Sequence, residues 1–261
     1  MSNVSLPPEL VPKFQKDLRT VTDAGKSTLE KRLRSLKIDT VGKRNETRIM
    51  LDLVLQSHIM TYADAIATRS AQFFNECTEA QGLHLSPARN SIVGFDRKAT
   101  EVAVKAISNN DDPEVVIQQT LNRFDYEMRR ISHAVVYENA WTADDILRAQ
   151  HDAKKQTDDD PAPRRRYRPR TPAYHRVRFA RVPTGRETCD FCITLASRGF
   201  VYYSRDSAQL YGHMHANCDC VIVPSFVGAA VEIAGYDVDD LYEKYLETRF
   251  APGGSASGRS R

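Results

Sequence analysis

Four of the five cysteines of this 261-residue chain fall between positions 189 and 220, and their spacing is that of metal ligands. Cys189-Asp190-Phe191-Cys192 is a C-x2-C pair, a turn that lets two thiolates hold one ion at about 2.3 Å while the intervening amides point at the sulfurs. The other half of a tetrahedral site must come from His213-Met214-His215-Ala216-Asn217-Cys218-Asp219-Cys220. One residue separates Cys218 from Cys220, so an extended chain sends both to the same side. An all-cysteine site and a site of three cysteines with His215 are therefore both open, and the second is preferred. The expectation is a structural Zn2+ held by four of Cys189, Cys192, His215, Cys218 and Cys220; the competing reading is buried thiols or a disulfide. His213 reads as a surface histidine or as a neighbour of the ligands.

A catalytic zinc keeps one position open for water, whereas three or four thiolates make an electron-rich and normally closed site. No enzyme is expected on that ground. The zinc deaminase signature pairs H-x-E with P-C-x2-C, but no Glu follows either histidine at that spacing and Thr188 stands where the proline belongs. His213, His215 and Asn217 beside a cysteine knuckle keep a His-Asn-His type nuclease as the alternative, although Asp190, Asp206 and Asp219 are unmotivated as its metal carboxylates. No Gly-rich phosphate loop and no paired carboxylates stand out, so no catalytic residue is assigned.

From Arg164 to Arg181 the chain carries eight arginines and no acidic residue, with Tyr167 and Tyr174 interleaved. Arg164, Arg165, Arg166, Arg168 and Arg170 form its densest part, a run able to neutralise phosphates while the tyrosines stack on bases. A non-catalytic DNA-binding zinc module is thus a further alternative. A solvated linker held open by like charge explains the run equally well.

The elements that must position these residues fall into two groups. Residues 8 to 150 read as helices: Phe14, Leu18, Val21, Leu29, Leu33 and Leu36 follow a helical period, and Leu51, Leu55, Ile59, Tyr62, Ile66, Ser70, Phe73 and Cys77 follow it more closely. The clearest stripe is Ile117, Leu121, Phe124, Met128, Ile131 and Val135, behind an Asp112-Pro113 start in which Asp caps and Pro takes the first helical position. Thr142 with Asp145 signals another helix or a restart of the same one after Trp141. Residues 81–95 and 109–112 read as loops, and QTDDDPAPRRRYRPRTPAY as a linker with little to bury. Beyond it come a strand at 176–182, a Gly199 turn, a strand-like Phe200-Val201-Tyr202-Tyr203, a short helix near 205–211, a strand through Val221-Ile222-Val223-Pro224, and a last helix at Val238, Leu241, Tyr242, Tyr245 and Leu246. Tyr202, Tyr203, Tyr211 and Phe226 read as a miniature core for this unit.

The expected fold class is α+β: a mostly α-helical domain over 1–155, a Pro/Arg-rich linker over 156–174, a small zinc-knuckle α+β module over 175–250, and a disordered tail over 251–261. Net charge of +3 with 27% charged residues is ordinary and does not by itself point to nucleic acid. No stretch approaches eighteen apolar residues, so no membrane partner is expected, and the first residues carry no secretory signal. Clustered cysteines suit a reducing, cytosol-like compartment.

Read as one string, Arg181-Val-Pro-Thr-Gly-Arg-Glu-Thr-Cys189-x2-Cys192, then Ser197-Arg198-Gly199-Phe200, then His215-Ala-Asn-Cys218-Asp-Cys220 and Val223-Pro224 resembles the C-terminal signature of phage minor head proteins of the Mu F type. The family ending is usually His-Pro-Asn-Cys-Arg-Cys; this chain has Ala216 for the proline and Asp219 for the arginine. The resemblance covers about residues 176 to 226. It implies a minor capsid or head morphogenesis protein that joins the procapsid near the portal. Its partners would be portal and major capsid or scaffolding protein, with possible contact to phage DNA. Its location would be the virion head, and the host cytoplasm during assembly.

Overall fold

The computed structural model describes residues 4–36, 38, 42, 44–93, 95–159, 176–185, 188–203, 220–226 and 231–250. Most of them are helical. Helices α1 (Leu10–Ser35), α2 (Arg44–Ala80), α3 (Arg97–Ile107) and α4 (Pro113–Asp159) form a body in which α2 and α4 are the central packed pair. Strand β1 (Val4–Ser5) precedes them, and β2 (Arg178–Val182), α5 (Asp190–Ala196), β3 (Val221–Ser225), β4 (Val231–Glu232) and α6 (Val238–Phe250) follow.

The helix starts obey their local chemistry. Asp112 accepts the Glu114 N–H at 2.8 Å ahead of Pro113, and Asp96 accepts the Ala99 N–H at 3.0 Å at the start of α3. The Thr142 signal starts nothing: α4 runs through it unbroken, and the Thr142 hydroxyl donates back to Glu138 O at 2.9 Å, one turn earlier. At 47 residues α4 is about 70 Å long, and it overruns the expected start of the linker to reach Asp159.

One core lies wholly between helices. Leu29, Leu33, Leu51, Leu55, Ile59, Ile66, Val116, Leu121, Phe124, Met128 and Ile131 are buried there together, so the Ile117 to Val135 stripe is the seam of α4 against its neighbours. Arg69 ties α1 to α2, with Asp17 at 2.7 Å and Glu76 at 3.2 Å. Glu127, fully buried, joins Arg123, Arg130 and Thr100 between α3 and α4. Burial raises its carboxyl pKa, against the pull of both arginines.

Gly25, in the middle of α1, marks the closest approach in this core. A methyl group there would lie 2.4 Å from Phe124 Cζ and 2.7 Å from Cε1. The Phe124 ring is fully buried and edge-on to both Tyr62 and His58, so it has nowhere to swing. Alanine ordinarily favours a helix over glycine by about 1 kcal/mol, yet overpacking outweighs that gain here. Gly25→Ala is expected to cost about 2 kcal/mol, seen as a lower denaturant midpoint; an unchanged midpoint would mean that α1 and α4 part without cost.

The second core crosses from the helices to the strands. It gathers Leu10, Phe14, Phe73, Phe74, Cys77, Val136 and Tyr137 from the helical body with Val177, Phe179, Val182, Leu195, Tyr202, Ile222 and Phe226 from the C-terminal part. Phe14 stacks on Phe73 at 3.9 Å, Tyr137 on Phe179 at 5.1 Å, and Phe226 meets Phe74 edge-on at 6.3 Å. The expected miniature core is thus only partly correct: Tyr202 is buried beside Phe179 and α5, Phe226 is buried but against Phe74 of α2, Tyr203 is exposed, and Tyr211 lies outside the described residues.

Strands β2 and β3 pair antiparallel, with Arg178 opposite Ser225 and Val182 opposite Val221. Pro224 lacks an N–H, yet a two-stranded sheet has only edge strands, where proline is tolerated. The expected strand at Phe200 to Tyr203 reduces to a single bridge, Tyr202 to Phe179. β1 pairs parallel with β4, Val4 opposite Val231, so the N-terminal segment straps the C-terminal part. No described helix is long and apolar enough to cross a membrane.

Candidate metal centre

The C-x2-C pair lies at the start of α5. Cys189 caps the helix and is exposed, and its Sγ accepts the Cys192 N–H at 3.4 Å. Cys192 is buried one residue into the first turn beyond Phe191. Cys220, directly before β3, is buried as well and packs against Cys192. The fold therefore brings Cys220, distant in sequence, against one member of the C-x2-C pair, Cys192. Cys77, Cys189, Cys192 and Cys220 form no disulfide.

His215 and Cys218, the remaining candidate ligands, lie outside the described residues, as do His213 and Asn217. The same holds for Arg164, Arg165, Arg166, Arg168 and Arg170, for the short helix expected near 205–211, and for the tail from 251. Among the described residues no group of three His, Cys, Asp or Glu side chains is arranged to hold a metal ion. Cys77 is a core residue of α2, and its burial pushes the thiol pKa well up.

Two tyrosines pin backbone groups beside the described cysteines. Tyr202 donates its hydroxyl to Leu195 O at 2.6 Å, and Tyr236 donates to Ala196 O at 2.7 Å, satisfying two carbonyls at the end of α5. Burial raises the pKa of both hydroxyls, so both remain donors at neutral pH. Gly199 adopts φ of 66°, the expected turn, and brings the chain back towards Tyr202.

Three buried polar side chains of the helical body reach across to the strands. His133 of α4 donates from Nε2 to Cys220 O at 2.9 Å. Gln81, just past α2, donates to Pro224 O at 3.0 Å and accepts the Phe226 N–H at 2.9 Å. Asp144 of α4 accepts the Val177 N–H at 2.6 Å, and Arg176 beside it lies 3.6 Å from the same carboxylate and 4.3 Å over the Trp141 ring. Sequence reasoning missed all three, because their partners are backbone groups and no residue type announces a backbone partner. The only signal was polar residues at core-facing helical positions.

Among the described residues, Cys192 and Cys220 are buried side by side while Cys189 is exposed at the start of α5. His133 offers its ring to a carbonyl, and a cavity of about 40 Å3 between α1, α4 and Cys220 has room for little more than water.

Residues 162–248 match the model of the VG15 protein family. The match takes in 87 of 261 residues, from the arginine run through the strand pair and the cysteines into α6. Gene 15 protein of Mycobacterium phage D29 is 36% identical over an alignment that covers 18% of this chain and 28% of that relative. The chain thus spans under a third of the length of the curated relative it matches. No solved structure matches. The likeness is to a bacteriophage protein, and the matched family is VG15 where the signature suggested the Mu F type.

Proposed function

We propose that the chain is a structural component of a phage head, a minor capsid or head morphogenesis protein that acts in procapsid assembly near the portal. The observation that carries this reading is the likeness to a phage gene product together with the place of the family match. The segment that matches the VG15 family, residues 162–248, is the one that contains the cysteines and the strands docked on the helical body, and the chain is similar to a phage gene product as well. The helical body then supplies docking faces for portal and for capsid or scaffolding protein, and the arginine run supplies a tether able to touch packaged DNA. Mass spectrometry of purified virions tests this: a few copies per particle are expected, and absence from both virions and procapsids would sink it. Binding of the full chain to duplex DNA should weaken as salt rises, and binding indifferent to salt would remove the DNA contact.

Within that role the cysteines serve as a closed structural Zn2+ site of Cys189, Cys192 and Cys220 with His215 or Cys218. The reading is supported by donor chemistry: Cys192 and Cys220 touch, Cys189 caps the same helix turn, and thiolates in a C-x2-C pair with a further cysteine are the donors zinc prefers. Elemental analysis of the purified chain is expected to give one zinc per molecule, and a metal-free preparation with full stability would refute the site.

A further inference from the structure

Gln15 and Thr22 of α1 are each only 6% exposed, yet neither side chain hydrogen-bonds to any described residue. They stand two turns apart on one face of the helix, and both line the cavity of about 40 Å3 whose opposite wall holds the buried Asp125 and Ser132 of α4. The cavity falls between the two cores. Leu10 and Phe14, before it on α1, belong to the core shared with the strands, and Leu29 and Leu33, after it, belong to the core between the helices. Leu18, in the cavity wall, packs against both. A buried amide or hydroxyl left without a partner costs its full desolvation, so a polar lining at this place requires partners from outside the chain.

We infer that this cavity is a built binding site for water, a small cluster that completes the hydrogen bonding of Gln15 and Thr22 and bridges α1 to Asp125 and Ser132 of α4. Size sets the number: one water needs about 10–15 Å3 of such space, so about 40 Å3 admits about three. Charge sets the kind. The lining carries Asp23 and Asp125 against Arg19 and Arg129, with Asp125 already 2.9 Å from Arg129, so no net charge calls for an ion. Among the described residues no group of His, Cys, Asp or Glu is arranged to hold a metal. A ligand that is neutral, very small, and both donor and acceptor matches an amide facing two hydroxyls. Over this stretch of the α1–α4 seam water takes the place of interlocked apolar side chains, so the core shared with the strands can loosen while the core between the helices stays packed.

Magnetic relaxation dispersion of water oxygen in solutions of the full chain counts the molecules held for longer than the protein takes to tumble. Gln15→Leu combined with Thr22→Val keeps both side-chain volumes and removes both polar groups. The dispersion amplitude of this variant is expected to fall by about three waters relative to the unmutated chain. An unchanged amplitude in the folded variant would overturn the inference. If the variant does not fold, the unmutated chain decides. With its glutamine side chains isotopically labelled, the Gln15 amide protons are expected to show nuclear Overhauser contacts to long-lived water, and the lack of such contacts would overturn the site. A Gln15 amide resonance that shifts when sodium is exchanged for potassium or magnesium would place an ion in the cavity and overturn it equally.

Discussion

Removing the proposed zinc, by chelator or by Cys192→Ser, is expected to unfold the C-terminal part of the chain while most of the helical body stands. A structural zinc contributes on the order of 10 kcal/mol to a small unit, comparable to the whole stability of a typical domain. The strands cannot make up that loss, since β2 and β3 form a two-stranded sheet that is marginal without support. The two cores should respond differently. Leu29, Leu55, Ile59, Phe124 and Met128 are buried by helices alone, and amides of α2 and α4 around them should keep their protection from hydrogen exchange. Phe14, Phe73, Phe74 and Tyr137 share their core with Phe179 and Phe226, so the same treatment should expose them and raise the binding of a hydrophobic dye. Exchange at Arg178–Val182 and Val221–Ser225 should rise to near that of an unfolded chain. Equal protection of those strands with and without chelator would rule the metal out as their support.

How much of this was legible beforehand depended on whether a residue's reason was local. The Ile117 to Val135 stripe and the Asp112-Pro113 start were readable because period and cap are properties of adjacent residues. So were β2 and β3, short apolar runs near where they were expected. Gly25 was silent, since its reason is the Phe124 ring nearly 100 positions away. Thr142 misled: the residue types that cap a helix also bond back one turn within it, and only the continuing helix decides between the two. Phe226 was assigned to a local core because nothing in the sequence tells that its partner is Phe74 of α2. The candidate site was legible as ligand types and spacing. The contact of Cys192 with Cys220 needed the fold, since it joins α5 to the start of β3.

Gln81→Leu is expected to destabilise the chain by about 3 kcal/mol, nearly as informative as loss of the metal and separable from it. The Gln81 amide is buried and bonds at both ends: Nε2 donates to Cys77 O and Pro224 O, each at 3.0 Å, and Oε1 accepts the Phe226 N–H at 2.9 Å. Leucine keeps the volume but strands a backbone N–H and a carbonyl away from water, at about 1–3 kcal/mol for each group left unsatisfied. Because the bonds run to backbone, no change of side chain in β3 can compensate, which distinguishes this junction from the aromatic contacts around it. The loss should have the same size in zinc and in chelator, since Gln81 braces the far end of β3 from Cys220. Urea unfolding of the full chain in both conditions measures it. A loss seen only with zinc bound would mean that metal and clamp act as one unit, and no loss in either condition would mean that Pro224 and Phe226 find other partners without cost.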